Sequence, residues 1–148
     1  MAKSFYAQAT VTLDGPVIAQ IEGNHPIKMV DPARMEPQQG VSPLALLLNA
    51  LAGCIGLTLA PLLDKMHLAI AGYTIKVTGE LSHDRPSVYT HITVEHYFSS
   101  HPNLPGQMLP EKKIQRALAI AEKYCPVDAM LGKAAHITHV IHIVEGGE

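Results

Sequence analysis

At 148 residues the chain is the size of one domain and long enough to bury a core without disulfide support, so two independent domains are not expected. Hydrophobic residues make up 47% of it and charged residues only 16%, below the roughly 25% usual in soluble domains, a deficit that points to buried subunit surface. Net charge is −2, and the eleven Lys and Arg residues are scattered without a run or an aromatic-interleaved patch, which argues against nucleic acid as a partner.

The first residues, Met1 to Thr10, alternate polar and apolar positions, unlike a secretion signal, and a cytoplasmic setting is expected. Ser4 to Leu13 and Val17 to Glu22 read as strands of a hairpin turned at Asp14-Gly15-Pro16, with a third short strand over Pro26 to Val30. Asp31 to Gly40, with two prolines, reads as a loop. Ser42 then offers an N-cap and Pro43 a first helical residue, and the spacing predicts one long helix through Leu63. Val41 to Leu63 carries no charge, a length that raises the question of a membrane span. Asn49, Pro61, Gly53, Gly56 and the absence of a basic flank favour instead a core helix packed between sheets or subunits, and no membrane partner is expected.

Tyr73 to Leu81 and Tyr89 to Phe98 alternate as a second antiparallel pair around His83-Asp84-Arg85-Pro86. Ser99 to Pro110 reads as a loop, followed by a helix over Glu111 to Tyr124 whose apolar face is Ile114, Ala117, Leu118 and Ala121. Cys125-Pro126 breaks that helix and starts a short turn to Leu131, and Ile137 to Val144 closes the chain as a strand. The segregated order ββ(β)αββααβ predicts an α+β fold.

Two cysteines, Cys54 and Cys125, lie 71 positions apart. That is too sparse for a secreted disulfide scaffold and leaves a working redox pair open. Thiol chemistry needs the thiolate. Cys125 precedes Pro126 at the positive end of a helical turn, an environment that lowers a thiol pKa. Cys54 lies inside the apolar helix, in Leu-Ala-Gly-Cys-Ile-Gly, where desolvation alone would leave it inert unless a cation reaches it. Each is otherwise read as a small buried hydrophobe.

The stretch Gly40-Val-Ser-Pro-Leu-Ala-Leu-Leu-Leu-Asn-Ala-Leu-Ala-Gly-Cys54, with Ala121-Glu-Lys-Tyr-Cys-Pro-Val127 and His136-Ile-Thr-His139, resembles the OsmC/Ohr family over nearly the whole chain, and most closely its YhfA-like branch. The resemblance implies an OsmC-like fold, antiparallel sheets wrapped around long central helices in an intertwined homodimer. It implies reduction of organic hydroperoxides, with Cys54 peroxidatic and Cys125 resolving, a dithiol as reductant, and no metal or organic cofactor. The order of the two cysteines runs against the helix-end reading, which favours Cys125 as the readier thiolate. The family's Glu nine residues before the first cysteine is here Ala45, and the hairpin supplies no arginine. Arg34, Arg85 and Arg116 are the available replacements; Arg34, in the loop before the helix, is the expected third catalytic residue, against the plainer reading of a solvated loop side chain. Loss of that Glu also supports a rival, an OsmC-like dimer without peroxidase activity that binds a small hydrophobic ligand. A third reading is a purely structural dimer. Sulfurs within disulfide range favour the first, well-separated sulfurs the second.

Nine histidines invite a metal reading, above all His136, His139 and His142. Strand alternation puts His136 and His142 on one face with Val140, and His139 on the other with Ile137 and Ile141, so the three do not converge. Glu111 and Glu122 show no catalytic spacing. Gly53 and Gly56 form no phosphate loop.

Overall fold

The computed structural model describes residues 3–101 and 109–144. The chain divides into two compact units, Met1–Leu47 and Leu48–Glu148.

In the first unit a meander of three short antiparallel strands, β1 (Gln8–Thr10), β2 (Val17–Gln20) and β3 (Ile27–Met29), pairs Ala9 with Ala19 and Ile18 with Lys28. The strands are shorter than the apolar alternation suggests: Phe5, Val11 and Leu13, counted from sequence as strand residues, are exposed, so nothing among the described residues of this unit rewards their pairing. The predicted loop holds one 3-10 turn, Pro37–Gln39. Val41 then returns alongside β3, the Val30 N–H donating to Val41 O and the Val41 N–H to Lys28 O, both at 2.9 Å. Glycine is required just before it: a Cβ on Gly40 would lie 2.6 Å from Lys28 O.

Helix α1 (Pro43–Lys65) follows, its first backbone bond accepted by Ser42 O from Leu46 N–H. By length and composition α1 could cross a membrane. In the second unit, however, Leu51, Ile55, Leu59 and Leu63 recur at helical spacing and are buried in the core, while Leu57, on another face, is 81% exposed. The chain leaves the helix at His67, whose φ of 52° is the left-handed conformation that ends many helices.

Strands β4 (Ile70–Leu81) and β5 (Tyr89–Ser100) form the predicted antiparallel pair, each longer than expected. The predicted Ser99–Pro110 loop lies mostly outside the described residues. Helices α2 (Glu111–Tyr124) and α3 (Pro126–Leu131) fall where the sequence puts them. They form the crossover that lets β6 (His136–Val144) pair with β5 in parallel, Val94 opposite His139 and His96 opposite Ile141. The sheet β4-β5-β6 is therefore mixed, where antiparallel sheets were expected. Ile92, Val94, His96 and Phe98 alternate onto its buried face and, apart from His96, belong to the same core as the α1 leucines and the α2 face Ile114, Ala117, Leu118 and Ala121.

Candidate functional site

Cys54, on α1, and Cys125, at the junction of α2 and α3, meet in the core of the second unit, their Sγ atoms 2.8 Å apart. Cys54 sits one residue before buried Ile55, at the edge of the core face of α1, and is partly exposed. Thr58 Oγ1 donates to its carbonyl at 2.8 Å. Cys125 is fully buried. It closes α2, donating its N–H to Ala121 O, and opens α3 as N-cap, with Sγ accepting from the Asp128 N–H at 3.4 Å.

This geometry overturns one expectation. The helix end was expected to lower the Cys125 pKa, and the Asp128 N–H does act in that direction. Burial and the hydrogen bond to Cys54 outweigh it and push the thiol up to about 11. Cys125 is thus a protonated thiol at neutral pH, and its S–H is donated to the Cys54 sulfur. Two free thiols so placed can close a disulfide, of bond length about 2.05 Å, with little movement.

Below the sulfurs runs a line of polar side chains. Tyr73 Oη and His96 Nδ1 lie 2.5 Å apart, His96 Nε2 and His139 Nδ1 3.0 Å, His139 Nε2 and Asp128 Oδ2 2.9 Å. His96 is fully buried, and burial, reinforced by His139, lowers its pKa to about 4. Burial also raises the Tyr73 hydroxyl well above the ordinary tyrosine value. Glu122 Oε1 is 3.8 Å from His139 Nδ1.

As alternation predicts, His139 faces the helices while His136 and His142 face away: the His136 ring packs on His91, and His142 meets Glu95 Oε1 at 3.1 Å. Arg34 belongs to the first unit, where its Nε pairs with Asp31 Oδ2 at 3.1 Å; its side chain is 78% exposed. The Ala33 N–H, then the Arg34 hydrogen bond, hold the Asp31 carboxyl below its usual range. Sequence reasoning assigned no role to Tyr73, His96 or Asp128. A signal was present for His96, a histidine at the inward parity of a strand otherwise carrying Ile92, Val94 and Phe98.

Helices over a sheet define an α+β protein, with two free cysteines touching in its core. The OsmC-like protein model matches residues 36–140. Protein YhfA of Escherichia coli (strain K12) is 33% identical over 104 residues, 70% of this chain and 73% of that one. The chain belongs to the OsmC-like family. Among solved structures, an OsmC-like protein from Mycoplasma pneumoniae superposes with a TM-score of 0.78 at 23% identity, covering 97% of this chain and 99% of that one. The organic hydroperoxide resistance protein OhrB of Bacillus subtilis gives 0.64 at 18%, covering 93% and 96%. At these identities the two structures speak for the fold.

Proposed function

We propose that the protein reduces organic hydroperoxides through Cys54 and Cys125. The observation that carries this reading is the 2.8 Å approach of the two sulfurs. Cys54, partly exposed and the acceptor of the hydrogen bond from the Cys125 S–H, is the nucleophile. Its thiolate attacks the outer peroxide oxygen, the O–O bond breaks, and the alcohol leaves with a proton, giving a sulfenic acid. Cys125 then attacks the sulfenic sulfur, water leaves, and the disulfide forms. A dithiol reductant returns both thiols by exchange, its own sulfurs becoming a disulfide. The burial of Cys125 suits a resolving thiol, protected until Cys54 has reacted. Arg34 remains the cation chosen from sequence, and activity lost in Arg34→Ala with both thiols intact is the expected result if it serves.

The homodimer is part of the same reading. Ala50, Gly53 and Leu57 form an exposed apolar stripe on α1, suited to packing against the same helix of a second copy.

The experiment is a single turnover of the reduced protein with an aromatic or alkyl hydroperoxide, followed by mass. Loss of both thiols with an intramolecular disulfide, abolished by Cys54→Ser, is expected. In Cys125→Ser the sulfenic acid should accumulate. A wild type no faster than a free thiol removes the peroxidase reading. The second reading, a binder of small hydrophobic molecules, would then take precedence; Ala45 and the largely apolar pocket of about 420 Å³ in the first unit, walled by Val17, Met29, Pro32, Met35 and Leu44 beside the Asp31–Arg34 pair, favour it.

A further inference from the structure

Tyr73, His96, His139 and Asp128 take no part in the thiol chemistry above, yet their hydrogen bonds run in one direction. Neutral His96 carries a single ring proton. Tyr73, held protonated, donates to Nδ1, so that proton is on Nε2 and goes to His139 Nδ1. The proton of His139 is therefore on Nε2 and goes to Asp128 Oδ2. Glu122, near the unprotonated Nδ1 of His139, stands outside the line. One residue comes from each of β4, β5, β6 and α3. At the last of them Asp128 gives its own N–H to Cys125 Sγ. The Asp128 and His139 side chains are 16% and 8% exposed, so water competes little for this final link.

We propose that these four residues form a positioning chain that clamps the first turn of α3 to the sheet and holds Cys125 against Cys54, raising the effective concentration of the thiol pair. This rests on the redox reading of the cysteines. Two opposing effects follow from cutting the chain. Freeing the turn separates the sulfurs and disfavours the disulfide, whereas losing one N–H···S bond destabilises the dithiol. A 3.4 Å bond to sulfur is weak, while close placement of reacting groups carries a far larger entropic advantage, so separation dominates.

The test equilibrates the full chain with glutathione buffers and reads the Cys54–Cys125 disulfide by mass. Asp128→Ala and His139→Ala should each shift the equilibrium at least ten-fold towards the dithiol, about 30 mV in potential. The double variant should add little, since both single variants already remove the Asp128–His139 bond. Asp128→Asn keeps an acceptor oxygen and should stay within about two-fold of wild type, as should His142→Ala on the outward face. Tyr73→Phe keeps the ring stacked on Phe98 and loses only the hydroxyl, so it provides a well-folded arm: a shift of the same sign, about three-fold, is expected. Equilibria within two-fold of wild type in both alanine variants, or a shift towards the disulfide, overturn the positioning chain and leave the redox reading standing. A wild type that forms no disulfide in any buffer overturns the redox reading. The clamp is then read in the reduced protein by hydrogen exchange of the Asp128 amide: at least ten-fold faster exchange in His139→Ala supports it, and unchanged exchange refutes it.

Discussion

Acid should weaken this protein through His96, by an amount the structure allows to be worked out. The imidazole is fully buried and its pKa falls from the ordinary 6.5 to about 4, first because burial penalises the charged ring and then because His139 lies beside it. In the unfolded chain His96 takes a proton below about pH 6.5; in the fold it does not until about 4. Between those values the unfolded state binds more protons, so stability is full above the unfolded value and is lost as pH falls. Integrating from pH 7 to 4.5 gives a loss of roughly 2–3 kcal/mol, a large share of the roughly 5–15 kcal/mol that holds a domain together. The comparison variant is His96→Gln, which does not titrate and can still accept from Tyr73 and donate to His139. Urea unfolding of both proteins at several pH values cancels the carboxylates they share, including Asp128 and Glu122. The wild type should lose roughly 2–3 kcal/mol more than the variant over this range. Parallel curves would refute the buried neutral His96, and with it the direction assigned to the hydrogen-bond line.

Ile55→Ala empties a fully buried site and should cost roughly 2–5 kcal/mol in urea unfolding, with both thiols still present. Gly40→Ala drives a methyl to 2.6 Å from Lys28 O, a backbone atom that cannot rotate away; a loss of roughly 1–3 kcal/mol is expected, read as a lower melting temperature. The thiolate ultraviolet absorbance that disappears in Cys125→Ser should develop only around pH 11. Because that pKa is raised from 9.0, the Cys125 contribution to stability should fall as pH climbs from 9 to 11. Leu57→Lys, on the exposed stripe of α1, should convert the proposed dimer to monomers in sedimentation while leaving the far-ultraviolet spectrum unchanged.

Much of the fold was legible because its signals are local. Pro43 after Ser42 marks the start of α1, Cys125-Pro126 separates α2 from α3, and alternation over Tyr73–Leu81 and Tyr89–Phe98 marks the long strands. What local pattern does not carry is partnership. The parallel seat of β6 depends on a crossover through two helices. The N-terminal residues Phe5, Val11 and Leu13 have the composition of strand residues, but strands persist only where something pairs with them.

The pKa of Cys125 failed for a related reason. Its place before Pro126 identifies the helix end, and the Asp128 N–H is present as that position requires. Sequence says nothing of the Cys54 sulfur 2.8 Å away or of complete burial, and these outweigh one weak N–H···S bond. The correction also removes a conflict. A Cys125 that was the readier thiolate would have reversed the order of attack implied by the family resemblance. In the proposed reaction a buried, protonated Cys125 donating to a partly exposed Cys54 suits Cys54 as the attacking thiol, the order the family resemblance implies. Asp128 meets this site twice, through its amide on Cys125, which opposes the rise of that thiol's pKa, and its carboxylate on His139. Its spacing from Cys125 was visible in Cys125-Pro-Val-Asp128, but its partner on β6 becomes visible only when the strand has been placed.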